Sequence, residues 1–89
     1  MQISKINSKP VEYYLSLPYA VTVYREAEGR YVAVIKDLPG CMTQGETPDE
    51  FMANIEDARK LWIEIAYEYG NEIPLPTDVL LDEFLTGRP

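Results

Sequence analysis

Thr47-Pro48-Asp49-Glu50-Phe51-Met52-Ala53-Asn54-Ile55-Glu56-Asp57-Ala58-Arg59-Lys60-Leu61-Trp62-Ile63-Glu64-Ile65-Ala66-Tyr67-Glu68-Tyr69-Gly70 is the stretch that decides the fold. Thr47 offers a side-chain oxygen to the first free amides of a helix, Pro48 suits the first helical position, and Glu50 completes a capping box. Phe51, Ile55, Ala58, Trp62, Ile65 and Tyr69 then recur at steps of four and three, which predicts one apolar stripe, widened by Met52, Leu61 and Ala66. Asp49 and Glu50 sit where the helix dipole favours negative charge, and Gly70 supplies a stop. The pattern predicts a helix over 48–69 that packs across a sheet.

The sheet is expected upstream. Tyr19, Val21 and Val23 alternate onto one face of a strand, and β-branched and aromatic residues suit a pleated, half-buried surface. Glu26-Ala27-Glu28-Gly29 makes a polar turn, and residues 30–36 read as the returning strand of an antiparallel hairpin. Leu38-Pro39-Gly40 breaks the pattern, and residues 41–44 are long enough for a short third strand. Gly29, Gly40 and Gly45 read as turn residues. After Gly70, Pro74 and Pro76 forbid a helix or a central strand, leaving a short edge strand or an extended segment. Thr77 can cap a last short helix over 78–85. The expected fold class is α+β: a three-stranded antiparallel sheet with one long helix across it.

Eighty-nine residues make room for one core. The domain plan is a lead-in over 1–18, a main domain over 19–76 and a helical tail over 77–89. The chain carries 15 acidic and 8 basic residues, a net charge of −7. Residues 1–45 hold four acids and five bases, whereas residues 46–89 hold eleven acids and three bases. Such a balance opposes unaided gripping of a phosphate backbone, so direct nucleic-acid binding is not expected. There is no histidine, which removes His-based acid–base and nucleophilic arrangements. Cys41 is the only cysteine, so an intramolecular disulfide cannot form, and a reducing, cytoplasmic setting is expected. No run approaches the length of a membrane span, and no membrane role is expected.

No catalytic constellation stands out, and no enzyme activity, cofactor or metal is expected. Asp49, Glu56 and Asp57, or Glu64 and Glu68, could bring carboxylates near a metal, but a solvated face opposite the apolar stripe explains them better. Asp37 is the best single inward-pointing carboxylate, and alone it cannot hold a two-metal site. Cys41 lacks an activating histidine and reads as a small buried thiol.

Glu28-Gly29-Arg30-Tyr31-Val32-Ala33, then Asp37-Leu38-Pro39-Gly40-Cys41, Thr43-Gln44-Gly45-Glu46-Thr47-Pro48-Asp49-Glu50, Asn54-Ile55 and Gly70-Asn71-Glu72-Ile73-Pro74-Leu75-Pro76 come in a fixed order. In that order and spacing, residues 19–76 resemble the HicB-like antitoxin family, and residues 12–19 look like the lead-in of a short subgroup. The resemblance implies a partial RNase H-like fold and a non-catalytic role. It also implies a partner, a small basic HicA-type toxin that cleaves messenger RNA and is neutralised by the antitoxin. Many members carry a further DNA-binding domain, and the thirteen residues after Pro76 are too few for one.

An acidic cover complements a toxin surface built to hold RNA. The expected contact residues are Glu56, Asp57, Glu64 and Glu68 on the helix, with Glu26 and Glu28 on the hairpin turn. Leu80, Leu81, Phe84 and Leu85 need a surface to cover, which predicts a homodimer or a dimer of dimers joined through the tail. The competing reading is an orphan self-associating protein without a toxin, with a small ligand as a further option.

Overall fold

The computed structural model describes residues 7–77. The elements run α1 (Val11–Leu15), β1 (Thr22–Arg25), β2 (Tyr31–Val34), β3 (Met42–Gly45) and α2 (Pro48–Glu68). The three strands form one antiparallel sheet in the order β1-β2-β3. The long helix packs against β2 and β3, and α1 packs against α2. The expected α+β architecture, a three-stranded antiparallel sheet crossed by one long helix, is therefore present. The expected tail helix over 78–85, with Leu80, Leu81, Phe84 and Leu85, lies outside the described residues.

Local chemistry accounts for the start of α2. Thr47 is the N-cap in extended conformation, its Oγ1 accepts the Glu50 amide at 3.1 Å, and Pro48 occupies the first helical position. The Glu50 carboxylate reaches back to the amide of Glu46 at 2.6 Å, one residue earlier than a standard capping box. The helix ends at Gly70, whose φ of +73° is the left-handed conformation that closes helices and that glycine adopts without strain.

The hairpin closes as expected, with the Glu26 amide donating to Arg30 O at 2.7 Å and the Gly29 amide to Glu26 O at 2.8 Å. Its first strand is shorter than the alternation suggests, starting at Thr22 rather than Tyr19. Val23 shares a face with buried Ala33, its partner in register, yet it is 43% exposed because α2 does not reach β1. Gly45 is not a turn residue but the buried last residue of β3. A Cβ there would lie 2.5 Å from the Phe51 amide nitrogen, so the helix approaches the strand at a distance only glycine permits.

The core is built from Ala33, Ile35, Leu38, Cys41, Phe51, Ile55, Ile63, Ala66 and Ile73, with Tyr14 and Tyr19 at its margin. The apolar stripe of α2 departs from expectation in its second half. From Trp62 the covered row continues to Ala66, while Ile65 is 45% and Tyr69 72% exposed. Met52 and Leu61 are also exposed. Ile63, outside the expected stripe, is fully buried. It lies one turn before Tyr67, whose ring tilts against Tyr14 of α1 at 6.1 Å. No periodicity predicts α1, and five residues do not hold a helix in water on their own. Arg59 holds this one, donating to Leu15 O at 2.6 Å.

Residues 71–76 form no strand but an irregular segment fastened to the core by side chains. Asn7 donates to Asn71 O at 2.7 Å and accepts from the Ile73 amide at 2.9 Å. Tyr19 donates its phenol proton to Pro74 O at 2.7 Å. The Asp37 carboxylate accepts from the amide and hydroxyl of Thr77.

Candidate functional site

The outward side of α2 is where charge and exposed apolar surface coincide. Asp57, Glu64 and Glu68 are all exposed and fall in one band, seven and then four residues apart. Leu61, Ile65 and Tyr69 form a parallel row at steps of four, exposed by 58%, 45% and 72%. Glu64 and Glu68 each lie three residues beyond a member of that row, so carboxylates flank an apolar ridge. The ridge runs into a groove of about 390 Å³ lined by Pro39, Trp62, Ile65, Ala66, Asn71, Glu72 and Pro74. The Trp62 indole N–H donates to Pro39 O at 2.8 Å, which fixes one wall.

The two cations of α2 behave differently. Arg59 is turned inward, bridging Leu15 O and the Glu56 carboxylate, the latter at 2.6 Å. Glu56 is therefore partly neutralised and stands apart from the band. Lys60 remains exposed between Asp57 and Glu64. The band thus keeps a negative field beside an apolar strip, the composition of an interface for a basic partner.

Glu26 and Glu28 do not join this surface. The hairpin turn leads to Tyr31, which pairs with Gly45 beside the first turn of α2. Glu64 lies thirteen residues further along the helix, roughly 20 Å at 1.5 Å per residue. Glu26 is engaged by Arg30 at 3.1 Å, while Glu28 is exposed beside Glu46. Of the six expected contact residues, the structure groups Asp57, Glu64 and Glu68, sets Glu56 at their edge and separates the two hairpin acids.

Leu61, Ile65 and Tyr69 carry no mark of exposure in the sequence, because each falls within the expected apolar stripe. The available signal is that two rows diverge after Ala58: Trp62 to Ala66, and Leu61 to Ile65 to Tyr69. Only one can face a narrow sheet.

Asp37 has a structural task, holding the segment that ends at Thr77. Burial first, and then the Asp37 charge, push the Tyr19 phenol up to about 12, so Tyr19 stays a protonated donor. Cys41 is buried, and desolvation raises its thiol pKa against the opposing pull of Arg59, the environment of an inert thiol. No group of three or more Cys, Asp or Glu side chains among the described residues is placed to hold a metal ion. No described helix is long and apolar enough to cross a membrane.

Comparison with known proteins agrees with this architecture. Residues 19–85 match the family model described as the HicB-like antitoxin of bacterial toxin–antitoxin systems. UPF0150 protein Ta0767 of Thermoplasma acidophilum is 36% identical over 58 residues, covering 65% of this chain and 84% of that protein. UPF0150 protein ssl0259 of Synechocystis is 38% identical over 56 residues, covering 63% of this chain and 77% of that protein. Antitoxin HicB of Escherichia coli K12 is 37% identical over 59 residues, covering 66% of this chain but only 43% of the antitoxin. No solved structure matches. A family match across three quarters of the chain, on top of the sheet-and-helix order, places this protein in the HicB-like antitoxin family.

Proposed function

We propose that this chain is a non-catalytic antitoxin that binds and neutralises a small basic HicA-type toxin in the cytoplasm, with the outward side of α2 as its contact surface. The observation that carries this reading is the exposed row Leu61, Ile65 and Tyr69 flanked by Asp57, Glu64 and Glu68. A surface that holds RNA must present Lys and Arg, and an acidic band steers such a surface in while the apolar row supplies the desolvated centre. Glu56 contributes at the edge, and Glu26 and Glu28 form a secondary contact at the other end of the helix. The β1-β2-β3-α2 order supports the partial RNase H-like frame that the resemblance implies.

Co-expression with the product of the neighbouring gene tests the proposal. The expected result is a co-purifying complex and relief of growth arrest, with an association rate that falls as salt rises. Reversing Asp57, Glu64 and Glu68 to Lys should abolish both while leaving the circular dichroism spectrum unchanged. If the neighbouring product neither binds nor arrests growth, the orphan self-associating reading replaces this one.

A further inference from the structure

The two edges of the sheet are finished differently. On the outer edge of β3, the carbonyl of Gln44 accepts the Asn54 side-chain amide of α2 at 2.8 Å, so the helix covers that edge in part. On the outer edge of β1, no described element provides a partner. Glu26 and Arg30 oppose each other with the Glu26 amide bonded to Arg30 O, so the inward hydrogen-bonded pairs of the hairpin continue as Tyr24 with Val32 and Thr22 with Val34. By alternation, the N–H and C=O groups of Val23 and Arg25 point away from the sheet. Neither residue makes an outward backbone hydrogen bond within the described residues. Among the described residues the strand lacks the usual guards of an edge: it has no proline, no bulge and no covering helix, and Val23 and Tyr24 are 43% and 48% exposed.

We infer that β1 pairs with β1 of a second copy, antiparallel across a two-fold axis at Tyr24, to join two three-stranded sheets into one of six strands. Charge selects a second copy as the occupant. Between Glu12 and Glu26 the chain carries no acid, although its net charge is −7. The β1 edge is therefore where two acidic molecules approach without repulsion, while their α2 helices lie over β2 and β3. The register follows from the outward groups. Centring on Tyr24 places Val23 opposite Arg25 of the other copy, so each such pair exchanges two backbone hydrogen bonds. Tyr24 then faces its own mate as a non-hydrogen-bonded pair, the geometry in which aromatic side chains come closest. A shift that centres on Arg25 would set two guanidinium groups opposite each other, which is unfavourable. In the chosen register Arg25 stays free to lie over the Tyr31 ring, 5.3 Å away.

The pairing leaves the acidic band of α2 uncovered and is independent of the toxin reading. The test is light scattering on the full chain and three variants. The wild type should give twice the chain mass of 10.2 kDa. Val23→Pro removes an outward N–H without touching the ladder to β2, and Tyr24→Lys sets two ammonium groups together at the axis. Both should give the single-chain mass, with circular dichroism confirming that each remains folded. Should Val23→Pro unfold, Tyr24→Lys alone decides. In a Cys41→Ser background, Tyr24→Cys should form an interchain disulfide under mild oxidation, because Cα atoms in such a pair lie about 4.5 Å apart, within disulfide reach. A wild type of single-chain mass up to its solubility limit overturns the inference. So does a doubled mass that persists in folded Tyr24→Lys, or one that is lost only when residues 78–89 are deleted.

Discussion

Replacing Gly45 by alanine should destabilise the fold more than its single added methyl group suggests. The new Cβ would lie 2.5 Å from the Phe51 nitrogen, 2.7 Å from its Cα and 2.8 Å from its Cβ. Favourable contacts between such atoms begin near 3.5 Å, so β3 and α2 must separate by about 1 Å. Neither side yields by rotating a side chain, because the nearest obstacle is helical backbone. The first two turns of α2 are also tied to β3 by the Asn54–Gln44 bond and to β2 by the Phe51 ring, 5.1 Å from that of Tyr31. Overpacking of this kind costs about 1–3 kcal/mol. Loss of the Asn54 bond adds about 1 kcal/mol. The expected total is about 2–4 kcal/mol, a large share of the stability of a domain this small. Urea unfolding followed by Trp62 fluorescence measures it. With a slope of about 1–1.5 kcal/mol per molar urea, the midpoint should fall by about 1.3–4 M. Gly70→Ala is the control: it meets nothing within 4 Å and costs only the strain of its φ, about 1 kcal/mol. A Gly45→Ala midpoint unchanged, or lowered less than that of Gly70→Ala, would refute the close-approach argument.

Asn7→Ala should cost about 2–4 kcal/mol in urea unfolding, because it strands the Ile73 amide and the Asn71 carbonyl together. Tyr19 should retain its phenol proton until pH about 12, as read by its own NMR titration. Between pH 10 and 12 the folded chain holds a proton that the unfolded chain has lost, so Tyr19 contributes stability that is complete below pH 10 and falls as pH rises through this window. Tyr19→Phe should flatten that part of the stability–pH curve. Leu61→Ser with Ile65→Ser should shift the unfolding midpoint little, since both residues are exposed, yet should weaken toxin binding at least tenfold in calorimetry. Ile63→Ala, one helical step away but fully buried, should instead cost about 2–5 kcal/mol.

The resemblance that named the family and the geometry that located the surface draw on different parts of the chain. The ordered turn and cap residues, such as Asp37, Pro39 and Thr47, stand in structural roles. Asp37 holds Thr77, Pro39 O accepts from Trp62, and Thr47 caps α2. The surface proposed for recognition is carried instead by residues outside those motifs, from Asp57 to Tyr69. On the proposed contact surface, family membership and partner choice are separable, so a change at Leu61 or Glu64 is expected to alter binding without disturbing the fold.

By itself the sequence determined the helix from Thr47 to Gly70, the hairpin around Glu26–Gly29 and the concentration of acid in the second half. Each depends on a cap, a periodicity or a turn acting within a few residues of chain. Tertiary structure alone decided which apolar residues of α2 were left outside. Trp62 to Ala66 and Leu61 to Ile65 are equally apolar rows, and the choice between them was made by where β2 and β3 lie. Nor could the sequence show α1, a helix too short to be legible, whose end is held by Arg59 through Leu15 O and whose lead-in is held by Tyr67 through Lys9 O. Gly45 reads as a turn until the helix is placed 2.5 Å from its missing side chain. Helix formation is a local sum along the chain, whereas burial depends on partners distant in sequence, and so the elements could be read and the exposed ridge could not.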